Sequence, residues 1–249
     1  MIPPLLLGRR DFSLNDEPME IEPIGFLRTC FGEKFAVPRQ PGLCPSAWGT
    51  LEFSPPYRSA EAVRGLEGFS HVWLIFGFHM TEGEGWHPTV RPPRLGGNER
   101  VGVFASRSTF RPNGLGLSLV RLDRISWEID EGMEPPVLHF SGVDLVDGTP
   151  VYDVKPYLSF VEALPDAAGG YASEPIAKTE VIIEQTARQD FGQLPDRAQR
   201  VIIEALSLDP RPAASPKDDG KTYGALLCGK NVMFRFSDGI CRITGFGDP

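Results

Sequence analysis

Between residues 88 and 122 the chain carries Arg91, Arg94, Arg100, Arg107, Arg111 and Arg121 against one acid, Glu99. Every basic position is arginine, whose planar fork suits bidentate contact with carboxylate or phosphate and stacks on bases. Pro92, Pro93, Gly96, Gly97, Pro112 and Gly114 break up the stretch. It therefore reads as loops, where binding groups are usually displayed; the alternative is a solvated face with scattered charge. Two more islands share this loop chemistry, Val37-Pro38-Arg39-Gln40-Pro41-Gly42 and Asp144-Leu145-Val146-Asp147-Gly148-Thr149-Pro150. In the second, two carboxylates emerge at the end of an apolar strand and the backbone turns at Gly148. Such a pair can receive ribose hydroxyls or an ammonium, though Asp-Gly is equally a common capped turn.

Familiar catalytic patterns are missing: there is no GxSxG, no HExxH and no phosphate-binding Walker loop. Gly114-Leu115-Gly116 lacks the third glycine and the strand–helix–strand setting of a dinucleotide site. His71, His79, His87 and His139 lack metal-ligand spacing, and Cys30, Cys44, Cys228 and Cys241 form no CxxC pair. Metal-free chemistry and reduced, cytosolic thiols are the expectation.

The elements that must position these loops are mainly strands. In 249 residues, 27 glycines and 24 prolines imply many turns, and no apolar run approaches the roughly 20 residues of a membrane span. A net charge of -8 would repel phosphate backbones, so any nucleic acid must meet a local basic patch. Apolar or alternating segments at 21–26, 51–53, 71–78, 101–104, 116–125 and 137–143 suggest six short strands of a barrel or sandwich. One helix is expected at 60–66, with Ser59 as its N-cap, and could plug a barrel end. Residues 1–18 read as an extension. A domain boundary falls near Pro165, before a small α+β unit with strands at 181–184, 223–228, 231–236 and 240–246. Its helix spans 196–206, with Ala198, Val201, Ile202, Ala205 and Leu206 on one face. The predicted architecture is thus mainly β: an N-terminal β-barrel over 19–165 followed by a small α+β C-terminal domain over 166–249.

Five ordered islands then carry a family resemblance. They are residues 34–42, which include Val37-Pro38-Arg39-Gln40; Leu66-Glu67-Gly68-Phe69-Ser70-His71-Val72-Trp73; Arg91-Pro92-Pro93-Arg94-Leu95-Gly96-Gly97; Thr109-Phe110-Arg111-Pro112-Asn113; and the Asp144–Pro150 turn. Together they resemble the TsaA-like family, whose bacterial members, called TrmO, are tRNA methyltransferases. The likeness runs from Ile21 to the C-terminus, including Asp209-Pro210-Arg211-Pro212 and Gly220-Lys221-Thr222-Tyr223; Gly114-Leu115 departs from the apolar Pro-Ile common in the family after Arg-Pro-Asn.

The resemblance implies an S-adenosylmethionine enzyme built on a barrel, acting on N6 of N6-threonylcarbamoyladenosine beside the tRNA anticodon. Carried over by position, it implies a cofactor site of Pro38, Arg39, Gln40, His71, Val72, Arg107, Leu117, Asp144, Asp147, Gly148 and Thr149. The chemistry is consistent: the cofactor's sulfonium, ammonium, carboxylate and ribose call for acids, an arginine and an apolar wall. For the tRNA anticodon loop the expected contacts are Arg91, Arg94, Arg100 and Arg111, with Arg211, Lys221 and Tyr223 from the second unit. The other reading of those last three is that they cap the small domain. Twofold association, the commonest closed symmetry, would enlarge the basic surface, so a homodimer is expected. A barrel that only binds single-stranded RNA explains the arginines but leaves the Asp144–Thr149 turn idle, and a hydrolase lacks a nucleophile and base.

Overall fold

The computed structural model describes residues 20–212, 215, 216, 218 and 220–249; the 1–18 extension lies outside the described residues. The chain opens with β1 (Gly25–Thr29), β2 (Trp48–Phe53) and β3 (His71–Gly77). A two-stranded ribbon follows, β4 (Thr89–Val90) with β5 (Val101–Gly102), and then β6 (Leu115–Ser126), β7 (Val137–Ser141), β8 (Thr149–Pro156) and a one-turn helix, α1 (Ser159–Glu162). Six strands close a barrel in the order β1-β2-β7-β6-β3-β8, with every neighbouring pair antiparallel. Alternation places Leu51 and Phe53, Val72, Leu74 and Phe76, and Val120 inside, all at most 5% exposed. Burying each such side chain contributes about 1.5–3 kcal/mol before entropy is counted.

Three expectations need correction. The helix at 60–66 is a series of turns closed by i→i+3 bonds, such as Ala62 N–H to Ser59 O and Leu66 N–H to Val63 O, ending in a single 3-10 turn at Leu66–Gly68. Gly65 lies at φ +84 and Val63 is the segment's one buried apolar side chain, so nothing offsets the cost of helix nucleation. The strand expected at 21–26 begins at Gly25, because Pro23 has no N–H for a ladder. The strand at 101–104 shrinks to β5, outside the barrel, and the sixth barrel strand is β8, whose Pro150 and Pro156 hid it.

The second unit comprises β9 (Val181–Ile183), α2 (Arg188–Gln193), α3 (Asp196–Ser207), β10 (Thr222–Leu227), β11 (Lys230–Ser237) and β12 (Ile240–Gly247). Its sheet has the order β10-β11-β12-β9, with β9 parallel to β12. The face of α3 read from the sequence is the buried one, Ala198, Val201, Ile202, Ala205 and Leu206. This core is not closed by its own residues. Cys30, Phe31, Ala36, Cys44 and Ala47, all from the β1–β2 loop, belong to it. Past β1 the chain leaves the barrel and pairs with β10: Phe31 bridges Leu227, Gly32 N–H donates to Leu226 O, and Cys228 N–H donates to Cys30 O at 2.8 Å. Among the described residues no helix is long and apolar enough to cross a membrane.

Candidate cofactor-binding site

Strand direction decides which loops meet. β1, β3 and β7 end, and β2, β6 and β8 begin, at one rim of the barrel, as the registers Thr29↔Gly49, Trp48↔Ser141 and Gly77↔Leu115 show. The loops 30–47, 78–114 and 142–148 therefore all rise from that rim. They carry the proline–arginine–glutamine island, the arginine window and the Asp-Gly turn, three islands remote in sequence. Residues 54–70 and 127–136 lie at the opposite rim.

Hydrogen bonds between the islands tie them together. Arg107 donates to Gln40 Oε1, and Ser118, 1% exposed, donates to Asp144 Oδ1. Arg107 also faces Asp144 closely enough to oppose part of its shift. Burial dominates and pushes the Asp144 carboxyl up to about 6, with the Ser118 hydrogen bond and the Arg107 charge acting the other way. The turn is rigidly built: Thr149, 3% exposed, donates to Val146 O at 2.6 Å, and Gly148 takes φ +77, which a side chain would strain. Asp147 is exposed but accepts from Thr29 N–H at 2.8 Å, while its own N–H donates to Phe31 O. Its carboxylate thus fastens the turn to the end of β1 instead of capping the turn itself, and it stands exposed at the rim. Leu117, 55% exposed, points outward from β6 and gives an apolar surface beside Ser118. Pro38 is buried, and Arg39 reaches Arg211 O at 3.3 Å.

His71 and Val72 are not brought to this rim. Val72 is 0% exposed inside the barrel, and His71 begins β3 at the far rim, where its Nδ1 contacts Ser70 Oγ at 2.9 Å. The register pairs His71 with Arg121 but Leu74 with Ser118, so His71 stands roughly 10 Å along the strand from the Asp144 contact. The end of β3 that does reach the site leads into His79 and Met80, whose carbonyl accepts from Lys34 Nζ at 3.0 Å. Sequence reasoning missed these two, although they follow directly on the apolar run of β3. Ser118 was missed as well, a polar residue at an inward position of β6.

The expected RNA contacts divide. Arg91 is exposed and has no hydrogen bond or ion pair among the described residues, and Arg100 donates to Thr89 Oγ1 at 2.9 Å. Arg94 holds the interdomain linker through Ala172 O and Glu174 O. Arg111 braces its own loop through Val103 O and Ser106 O, its guanidinium 6.0 Å from the Phe104 ring. In the second unit Lys221 is exposed. Arg211 is corrected: at 6% exposure it pairs with Asp209 at 2.8 Å and stacks 3.7 Å over Phe236, so the charge is used internally. Tyr223 is corrected too, because its ring stacks on Phe35 and Phe234 in the shared core instead of offering a platform to a base.

The raised Asp144 pKa has a stability consequence. Between its ordinary value near 4 and about 6 the folded state binds the proton more tightly, so the stabilisation is complete below pH 4 and is lost as pH rises through 6. Asp144→Asn is therefore expected to stabilise the ligand-free protein by about 1–3 kcal/mol at pH 7.5 and by little at pH 4. Paired urea titrations at the two pH values check this.

A closed antiparallel barrel gathers a sheltered carboxylate, a guanidinium and an apolar wall on one rim and has a second domain fastened to a rim loop, which places the fold outside the dinucleotide-binding class. Two family profiles match the chain: the tRNA-methyltransferase O N-terminal domain over residues 26–163 and the TrmO C-terminal domain over 176–247. The tRNA (adenine(37)-N6)-methyltransferase of Escherichia coli is 50% identical over 224 residues, 88% of this chain and 94% of that protein. A Pseudomonas aeruginosa protein whose name refers to S-adenosylmethionine-dependent methyl transfer is 45% identical over 220 residues, 87% of this chain and 92% of its own length. A crystal structure of TrmO from Pseudomonas aeruginosa superposes with a TM-score of 0.74 at 39% identity, covering 96% of this chain and all of that one. The chain belongs to the TrmO family of tRNA methyltransferases.

Proposed function

We propose that the rim binds S-adenosylmethionine and that the protein transfers its methyl group to N6 of N6-threonylcarbamoyladenosine beside the tRNA anticodon, in the cytoplasm and as a homodimer. The observation that carries this reading is the meeting of Gln40, Arg107 and Asp144, from three separate loops, with Ser118 of β6 on one rim. The fit to the cofactor is chemical. A carboxylate that burial disfavours gains most from a cationic ligand, and the Asp144 carboxylate would receive the ammonium or sulfonium charge. Arg107, oriented by Gln40, would receive the cofactor carboxylate, and Leu117 would cover apolar surface. The bound cofactor supplies an activated methyl group.

What the chain supplies is alignment and exclusion of water, which account for much of the acceleration of an in-line displacement. The N6 lone pair is delocalised into the purine and the carbamoyl group, so its proton must leave, either to a carboxylate of the rim or to the substrate's own carboxylate. Arg91 and Arg100 on the 78–114 excursion suit the threonyl carboxylate and tRNA phosphates. Phe104, 75% exposed on the same excursion, suits base stacking. In contrast, an RNA-binding barrel without catalysis has no use for a sheltered Asp144.

Two expectations test the substrate side. Arg91→Ala and Arg100→Ala should weaken tRNA binding and lower the log–log salt slope by roughly 0.7–0.9 for each phosphate no longer neutralised, with cofactor affinity unchanged. A slope that stays put in both variants would make them surface charge. Methylation should need the threonylcarbamoyl group, so tRNA lacking it should be a poor acceptor. Equal rates on modified and unmodified tRNA would refute that substrate.

A further inference from the structure

The loop that carries Pro38–Gln40 is tied to its neighbours on the rim by Gly42 N–H to Gly142 O at 2.9 Å and Lys34 Nζ to Met80 O at 3.0 Å, and a second set of contacts holds it from outside the barrel. Glu204 on α3 accepts three hydrogen bonds from the far end of this loop: Ser46 N–H at 2.8 Å, Ser46 Oγ at 2.9 Å and Cys44 Sγ at 3.3 Å. Two turns earlier on α3, Arg197 donates to Ser46 O at 2.9 Å, lies 3.5 Å from Asp123 and stacks 5.7 Å over Trp48. Asp123 sits where the β6–β7 register shifts, which turns it toward α3. At the near end of the loop Glu33 accepts from Leu226 N–H at 2.8 Å, and midway Arg39 meets Arg211 O. Arg211 is itself fixed by Asp209 and Phe236. Every anchor of this second set lies in the C-terminal domain except Asp123 and Trp48, and none of them touches the Arg107–Asp144 cluster directly.

A loop of this length that ordered itself only on binding would lose much of its affinity to conformational entropy. A loop already fixed at both ends and its middle presents Gln40 to Arg107 without that cost. We propose that the C-terminal domain acts as the outer wall of the cofactor site, and that Glu204 is a positioning residue that preorganises residues 36–46 for S-adenosylmethionine. This rests on the rim being the cofactor site, and it gives the domain a task separate from gripping tRNA.

The test uses the full-length chain. Glu204→Ala should raise the calorimetric Kd and the KM for S-adenosylmethionine by about ten- to a hundredfold, the worth of a charged hydrogen-bond acceptor, with kcat and the KM for tRNA within about twofold. Glu204→Gln, which keeps one acceptor, should recover part of the loss. Arg235→Ala breaks an ion pair with Glu184 in the same domain, 2.7 Å long and away from the loop, and should leave the cofactor KM unchanged at a similar melting temperature. Without any cofactor, amide hydrogen exchange over residues 36–46 should quicken in Glu204→Ala and not in Arg235→Ala. Should Glu204→Ala fail to fold, Ser46→Ala removes one of the three donors and should shift the same two readouts less far. Normal cofactor affinity with normal exchange in a folded Glu204 variant, or an equal loss in kcat and in both KM values, overturns the proposal. A wild-type protein that shows the slow exchange but binds no S-adenosylmethionine would overturn the reading of the rim itself and this role with it.

Discussion

Asp144→Ala should reduce S-adenosylmethionine binding at pH 7.5 by at least about a hundredfold while the protein stays folded. Truncating one partner of a buried, hydrogen-bonded charge pair typically costs about 2–5 kcal/mol, and each 1.4 kcal/mol is roughly tenfold in affinity. Two features make this aspartate dominate. Its carboxyl is sheltered and held by Ser118, and the nearby Arg107 guanidinium is already engaged with Gln40. A ligand cation therefore meets a charge that water screens poorly. The pH dependence carries the same signature. With Asp144 pushed up to about 6 in the free protein, wild-type affinity should fall by up to about tenfold per pH unit as the solution is taken below 6. Asp144→Asn should bind weakly with no such inflection. Calorimetry at pH 7.5 and 5.5 on the three proteins measures both effects, and unchanged affinity in a folded Asp144→Ala would take this residue out of the site. Asp147→Ala is expected to act on both levels, because the same carboxylate that stands at the rim also caps Thr29 N–H.

The second large effect concerns the whole C-terminal domain. A chain ending near Pro165 keeps all six barrel strands yet strips the cover from Phe31, Cys44 and Ala47, each 0% exposed in the intact protein, and from Cys30 and Ala36. It also removes the β10 partner of residues 30–32 and the Glu204 and Arg197 anchors. Exposing these side chains forfeits several kcal/mol of burial against a typical total stability of about 5–15 kcal/mol. The truncated chain should therefore aggregate, or stay soluble with residues 30–47 unfolded and no detectable cofactor binding. Solubility, circular dichroism and calorimetry decide the matter. A soluble fragment with full-length cofactor affinity would show that the barrel holds its site loop alone.

How legible each feature was depended on whether its cause is local. The strand runs and the apolar face of α3 follow from periodicity, and the Asp-Gly turn from its own residues, so all could be read in one dimension. β8 could not, because Pro150 and Pro156 look like strand breakers until Gly25↔Val151 and Ile75↔Asp153 pairing shows them at the strand's ends. The short helix at 60–66 had the composition of a helix, but its sequence could not reveal that only Val63 would be buried. For the site, chemistry-bearing residue types were legible but not their direction. Arg211 and Tyr223 look like ligand contacts in loop-rich text, yet Asp209, Phe236, Phe35 and Phe234 claim them through tertiary packing. Placing His71 at the site required knowing which end of β3 faces the rim. That is set by barrel closure, and the same closure favours His79. The role of Glu204 was invisible for the same reason, since its partners lie more than 150 positions earlier in the chain.

The most direct test of the central claim incubates the purified protein with S-adenosylmethionine bearing a labelled methyl group and tRNA that contains N6-threonylcarbamoyladenosine, then analyses the digested nucleosides by mass spectrometry. The predicted result is a labelled methyl on N6 of the threonylcarbamoyladenosine, formed by the wild type and absent with Asp144→Ala. Label on another nucleoside, or an Asp144→Ala protein that methylates at the wild-type rate, would contradict it.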